Sequence, residues 1–211
     1  MSTEPTAPGG MREPTPDHVV LDSTSLRALA HPLRVRLLGL LRENGPSTAS
    51  RLAVAVGTTS GATSYHLRQL AAYGFIVEDE GAEEDGRQPR ERWWRAAHRA
   101  TWFDTASAAG NPEDEAAAEV YMRSVIQAYS RRMEAALDES PSLPEWRDTG
   151  TASDWTFVMD PAMTDELQKE LVDILERYRA KPELTTEDGR RPVTVQLQVF
   201  PRPGWRPEAT S

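Results

Sequence analysis

Apolar residues recur at two different periods along this chain, and the places where the period changes mark out its elements. A helical spacing begins at Ser23, with Asp22 or Ser23 as N-cap and Leu26 and Leu29 on one face. His31-Pro32 interrupts it, and Pro32 suits the first turn of a new helix in which Leu33, Leu37, Leu40 and Leu41 share a face. Asn44-Gly45-Pro46 ends that helix. A third helix is predicted over Ser47 to Val56, with Leu52, Ala53 and Val56 inward. After a break at Gly57-Thr58-Thr59, a fourth runs from Ser60 to Tyr73 and stops at Gly74. Thr63, Leu67, Leu70 and Ala71 would face the core, leaving Gly61, Ser64, Tyr65 and Arg68 opposite. Two strand-like runs, Phe75–Val77 and Arg92–Arg95, flank a charged loop over 78–91 that has two glycines, a proline and no apolar anchor. Helix, turn, helix and a two-stranded wing form the order of elements with which winged helices enter a DNA major groove.

Beyond the wing the pattern changes. Asn111-Pro112 is expected to open a long helix, Glu113 to Asp138, with acids in its first turn as the helix dipole favours. Met122, Val125, Ile126, Tyr129, Met133 and Leu137 form its apolar stripe. Residues 140–153, with two prolines, read as a loop. Asp154–Met159 alternates as a strand does, and so does Val193–Val199. Between them a helix is predicted from about Thr164 to Ala180, with Met163, Leu167, Leu171, Ile174, Leu175 and Tyr178 inward. Such a strand-helix-strand unit is too small to fold alone and needs the long helix, the winged helix or a second subunit to pack on. The expected fold class is mainly α with small β. The expected domains are a disordered leader over 1–20, a winged helix-turn-helix over 21–100 and a dimerisation or effector region over 101–211.

Composition narrows the chemistry. Cysteine is absent, which excludes disulfides, thiolate metal sites and cysteine nucleophiles. No apolar run approaches the roughly 20 residues of a membrane span. The segment 1–16 has four prolines and no basic-then-apolar signal, so it reads as a leader and not as an export sequence, and a cytoplasmic location is expected. The net charge of −9 argues against a nucleic-acid partner until its distribution is considered. Between Ser23 and Val77 lie Arg27, Arg34, Arg36, Arg42, Arg51 and Arg68 against a single acid, Glu43. A local basic face is what phosphate attraction requires. Arg34 and Arg36 could clamp phosphates or pair with acids such as Glu43.

The candidate DNA-binding residues are therefore Thr59, Ser60, Gly61, Ser64, Tyr65, His66 and Arg68 on the fourth helix. Arg87, Arg90 and Arg92 in the basic second half of the wing complete the set. Hydroxyls and a tyrosine on a small-residue face suit base edges, and a bidentate Arg68–guanine contact would discriminate by about 1–3 kcal/mol. His66 borders the core stripe and suits a half-buried packing role equally well. Trp93 and Trp94 point to opposite sides of a strand, so at least one should pack against the body of the protein. No Gly-rich phosphate loop, His-Glu-x-x-His or Gly-x-Ser-x-Gly is present, so an enzyme is not expected.

Three blocks in order carry a family resemblance: Leu29-Ala-His-Pro-Leu-Arg-Val-Arg-Leu-Leu, Ala49-Ser-Arg-Leu-Ala, and Ser64-Tyr-His-Leu-Arg-Gln-Leu with Gly74-Phe-Ile-Val. Over roughly residues 23–100 the chain resembles the ArsR-type bacterial transcriptional regulators. The resemblance implies a dimer whose two recognition helices enter successive major grooves of an inverted repeat in double-stranded DNA. A repressor is expected, with a homodimer seam built from helices near 23–30 and 113–139 and a strand-helix-strand unit that either stiffens the dimer or holds a small apolar effector, a candidate partner. Two departures qualify it. Metal-sensing members carry Cys-x-Cys on the third helix, where Thr48 and Ser50 stand here, and residues 113–139 contain no histidine. Neutral oxygens do not retain a thiophilic metal, so neither a metal nor a cofactor is expected. The first half of the wing is acidic and would repel phosphate. The alternatives are a winged helix that binds protein instead of specific DNA, and a non-cysteine metal or small-ligand sensor.

Overall fold

The computed structural model describes residues 18–79, 91–139, 146, 149, 151–181, 190–204 and 206. The chain divides into two compact units, one spanning Pro14–Thr151 and the other containing Ala152–Ser211. The architecture is mainly α-helical with two small sheets.

The first unit opens with β1 (His18–Val20), followed by α1 (Ser23–Leu29) and α2 (Pro32–Asn44). Asp22 caps α1 through a reciprocal pair of hydrogen bonds with Ser25, which also hold its carboxylate below its usual pKa. His31 caps α2, its Nδ1 accepting from the Leu33 amide at 3.1 Å, and Pro32 takes the first helical position. Then come β2 (Ser47–Thr48), α3 (Ala49–Val56) and α4 (Ser60–Ala72). The third helix is shorter at its start than the spacing predicts, because Ser47 and Thr48 pair with the wing and Thr48 serves as the N-cap. Gly57 takes the left-handed conformation (φ 70°, ψ 42°) that turns the chain between α3 and α4, and Gly74 (φ 73°) turns it out of α4.

The wing strands are β3 (Ile76–Glu78) and β4 (Trp93–Ala96), each displaced by one residue from the predicted runs, and the sheet order is β2-β4-β3, antiparallel throughout. β5 (Ala100–Trp102) pairs in parallel with β1. Residues 18–20, read from sequence as the end of a leader, are thus a strand whose partner lies 82 positions away.

A 3-10 turn (Thr105–Ala108) leads to α5 (Pro112–Glu139), which packs on α1 and α2 within this same unit. Its buried face is not the predicted stripe. Ala117, Tyr121 and Ser124 are buried, with Val125 half-buried beside them, whereas Met122, Ile126, Met133 and Leu137 are exposed. The helix carries two apolar stripes. The first, Ala117, Tyr121 and Ser124, is buried as the helix packs on α1 and α2, and the second is left outward. Tyr121 meets Phe103 edge-on at 5.7 Å. The core joins Leu26, Leu29, Leu37, Leu41, Leu67, Leu70, Phe75 and Ile76.

The second unit holds α6 (Pro161–Arg179), with Asp160 as N-cap and Pro161 at the first helical position. Segments 154–159 and 193–199 were expected to be strands, but neither forms one. Alternation prepares a strand, but a ladder partner completes it, and these runs have none among the described residues. α6 has no fully buried residue, and Trp155, Phe157, Val193 and Phe200 are all exposed.

Candidate nucleic-acid interface

Three side chains fix how α4 sits. Thr63, Leu67 and Leu70 are buried on its inner face, which turns Ser60, Gly61, Tyr65 and Arg68 outward into solvent. Tyr65 is 54% exposed, unusual for a ring of its size. Thr59, the N-cap, accepts from the Ala62 amide at 3.3 Å and is itself exposed, so the first turn of α4 is both ordered and accessible. A Cβ on Gly61 would meet nothing within 4 Å, so the helix surface there is low and open. Ser64 is half-buried between the outward face and α3.

His66 is turned toward α2. Its ring lies 4.4 Å from that of His31, with Tyr65 edge-on to it at 5.2 Å. Burial lowers the pKa of both histidines, and Arg34 lowers each further, with His31 adding its own effect on His66. Two imidazoles and a guanidinium thus share one corner. Nε of Arg34 and Nδ1 of His66 are both buried there without a hydrogen-bond partner. The contact between His31 and His66 joins residues 35 positions apart, and no spacing in the sequence signals it.

The arginines counted as one basic face have separate roles. Arg27 binds Asp114 at 2.8 Å and Glu113 at 3.0 Å, and the Ser23 hydroxyl and Arg27 together hold Asp114 below its usual pKa. Arg36 donates to the carbonyls of Val56 (3.0 Å) and Ala55 (2.9 Å), capping the C-terminal end of α3. Arg42 lies inside the unit, bonded to the His98 carbonyl and the Thr101 hydroxyl, and desolvation brings its pKa down to about 10. Arg51 stacks over Trp93 at 4.7 Å. Glu43 pairs with Arg132 and with neither Arg34 nor Arg36. Arg68 is exposed on the outward face of α4 and has no ion pair to any described residue.

At the wing, Arg92 is exposed. Its Nε lies 3.2 Å from a Glu78 carboxylate oxygen, and its guanidinium lies 5.6 Å from the centre of the Trp94 ring. Arg87 and Arg90 lie outside the described residues. Trp93 and Trp94 are both buried, because β4 is the central strand of its sheet and Arg51 covers the side away from the core. Ser50, Trp94 and Glu91, none of them among the candidate DNA-binding residues, line a crevice of about 370 Å³ between α4 and the wing together with Ser64, Arg68 and Arg92.

Residues 29–79 match a family model described as a helix-turn-helix domain. They run from the last residue of α1 to the residue after β3, so the match covers the turn, α4 and the first wing strand. The chain therefore carries a helix-turn-helix domain of the kind found in DNA-binding regulators. No curated protein matches the chain. No helix among the described residues is long and apolar enough to cross a membrane.

Proposed function

We propose that the protein is a cytoplasmic, non-enzymatic transcriptional regulator of the ArsR type that binds an inverted-repeat operator as a homodimer and acts as a repressor. The observation that carries this reading is the reading helix itself. α4 is anchored by Thr63, Leu67 and Leu70 and presents Ser60, Gly61, Tyr65 and Arg68 as an accessible, small, hydrogen-bonding and cationic face beside the wing. Hydroxyl and phenol groups can donate to or accept from base edges, and the low surface at Gly61 lets the helix approach the groove closely.

A dimer is supported by the outward stripe of α5. Met122, Ile126, Met133 and Leu137 recur at helical spacing, and each is exposed in the single chain. Paired subunits would set two copies of α4 about one helical turn of DNA apart. The apolar surface of the second unit suits either a stiffening role or a small apolar effector, which would act by favouring a dimer geometry that no longer fits successive grooves.

Selection from a pool of randomised duplexes tests the reading. An enriched inverted repeat with half-sites about 10 base pairs apart is the expected outcome, and Tyr65→Ala should lose the enrichment while keeping its thermal unfolding. A pool that enriches no motif would point instead to a winged helix that binds protein.

A further inference from the structure

Charge around α4 is mostly committed, as the pairings of Arg27, Arg36, Arg42 and Arg51 show. Arg34 is half-buried beside the two histidines, whereas Arg68 is exposed. It opens into the crevice of about 370 Å³ between α4 and the wing root, facing Arg92 across it, with the Ser50 and Ser64 side chains and the buried Trp94 as further walls. Two guanidiniums and two hydroxyls offer donors from several directions, and guanidinium geometry matches the oxygens of a phosphate. Ser50 also stands in the first turn of α3, whose amide dipoles add positive potential on that side.

We infer that this crevice seats one backbone phosphate of duplex DNA, which makes Arg68 a phosphate clamp and not a reader of bases. The inference rests on the DNA-binding reading above and sharpens it. Position along the helix favours it. Recognition helices address base edges with their N-terminal residues, where Ser60, Gly61 and Tyr65 lie. Arg68 follows the Thr59 cap by nine residues, about 13 Å along the axis, and its open side is the wing, not the helix start. Arg92 can join it readily. In the free protein Arg92 is held by Glu78 through a pair in which both side chains are more than half exposed, and exposed pairs of this kind contribute little. A phosphate can therefore replace the carboxylate on that guanidinium. Glu91, on the rim, has the opposite sign and opposes the anion.

The test uses the full chain, a duplex selected from a randomised pool, and an unrelated duplex of equal length. Arg68→Ala should weaken binding to both by the same factor, about tenfold. It should also make the slope of log affinity against log salt shallower by about 1. Arg68→Lys should keep the slope. Glu91→Gln should tighten binding to both duplexes, about threefold. Replacing backbone phosphates one at a time by neutral methylphosphonate should locate a single position per half-site at which Arg68→Ala has no further effect. Matching thermal unfolding of the variants excludes misfolding. Weakening confined to the selected duplex, with one base position relaxed on reselection, would make Arg68 a base reader and overturn the inference. Unchanged affinity for both duplexes would overturn it as well. Failure of the unaltered protein to bind any duplex at low salt is a distinct result, because it removes the DNA-binding reading before any variant is examined.

Discussion

The two units of this chain solve the burial problem differently. In the first, α1 to α4, the sheets and α5 enclose Leu37, Leu67, Leu70, Phe75 and Ile76 almost completely. In the second, a well-capped amphipathic helix and two alternating segments leave Trp155, Phe157, Val193 and Phe200 exposed, and α6 buries no residue fully. Both have regular hydrophobic patterns, so pattern alone does not make a core. A pattern fixes which face of an element is apolar, whereas burial needs a second apolar face of matching shape. The first unit contains both faces. Among the described residues, the second contains one.

The sharpest way to break this contrast is to truncate one large side chain in each unit. Phe75 is wholly buried, and Phe75→Ala should destabilise the first unit by about 3–5 kcal/mol, read as a lowered midpoint in denaturant. Phe157 is 59% exposed, and Phe157→Ala should leave that transition in place. An equal loss from Phe157→Ala would mean that the second unit has a core of its own after all. Next in size is the outward stripe of α5. Ile126→Glu with Met133→Glu should leave the first unit folded but yield a monomer in sedimentation. The loss of the linked second half-site should lower operator affinity by roughly 100-fold. A dimer that survives both charges would place the seam elsewhere.

The difference between the units also explains what the sequence could disclose. The helix-turn-helix was legible because its punctuation is local: His31-Pro32 starts α2, Gly57 turns the chain, Thr59 caps α4 and Gly74 ends it, each acting within a few residues of itself. The outward face of α4 followed from the 3.6-residue period. The fate of each arginine was not legible. Whether a guanidinium faces solvent, caps a helix as Arg36 does or is half-buried as Arg42 is depends on partners 19 to 59 positions away. Pairing of β1 with β5 was hidden for the same reason. On α5 the spacing marked an apolar stripe but not the face that the first unit buries: hydropathy ranks Met and Ile above Ala and Ser, yet Ala117, Tyr121 and Ser124 are the buried residues. A strong alternating pattern misled at 154–159 and 193–199, where strand propensity is present without a ladder partner among the described residues.

Arg36 sharpens the comparison within the first unit, because its hydrogen bonds tie α2 to the end of the helix preceding the turn. Arg36→Ala leaves the carbonyls of Ala55 and Val56 without that cap and removes a positive charge from a helix C-terminus. The expected cost is about 1–2 kcal/mol in unfolding stability, with a further loss in duplex binding because α4 is positioned by that turn. Arg36→Lys should recover only part of it, since an ammonium lacks the two-pronged geometry. Full stability in Arg36→Ala would show that the turn is held by Gly57 and the α3–α4 packing alone.

The smallest expected effect is a pH dependence that the first unit should have and the second should lack, since His31 and His66 both lie in the first. Burial and the neighbouring Arg34 lower both imidazole pKa values in the folded chain, so the unfolded chain binds protons more readily. The stabilisation is therefore present in full above the ordinary histidine pKa of about 6.5 and is lost as pH falls through that value toward the lowered folded ones. Tyr65 and Tyr73 also face Arg34. His31→Asn retains a capping acceptor for α2 while removing one titration, and His66→Gln removes the other. Denaturant midpoints of the unaltered protein should fall between about pH 7 and pH 5, and those of the double variant should fall less. An identical decline in both would show that the two histidines do not set it, because carboxylates such as Asp22 and Asp114, with lowered pKa values, lose their own stabilisation only at more acidic pH. The position of the decline on the pH axis, as much as its size, separates the two causes.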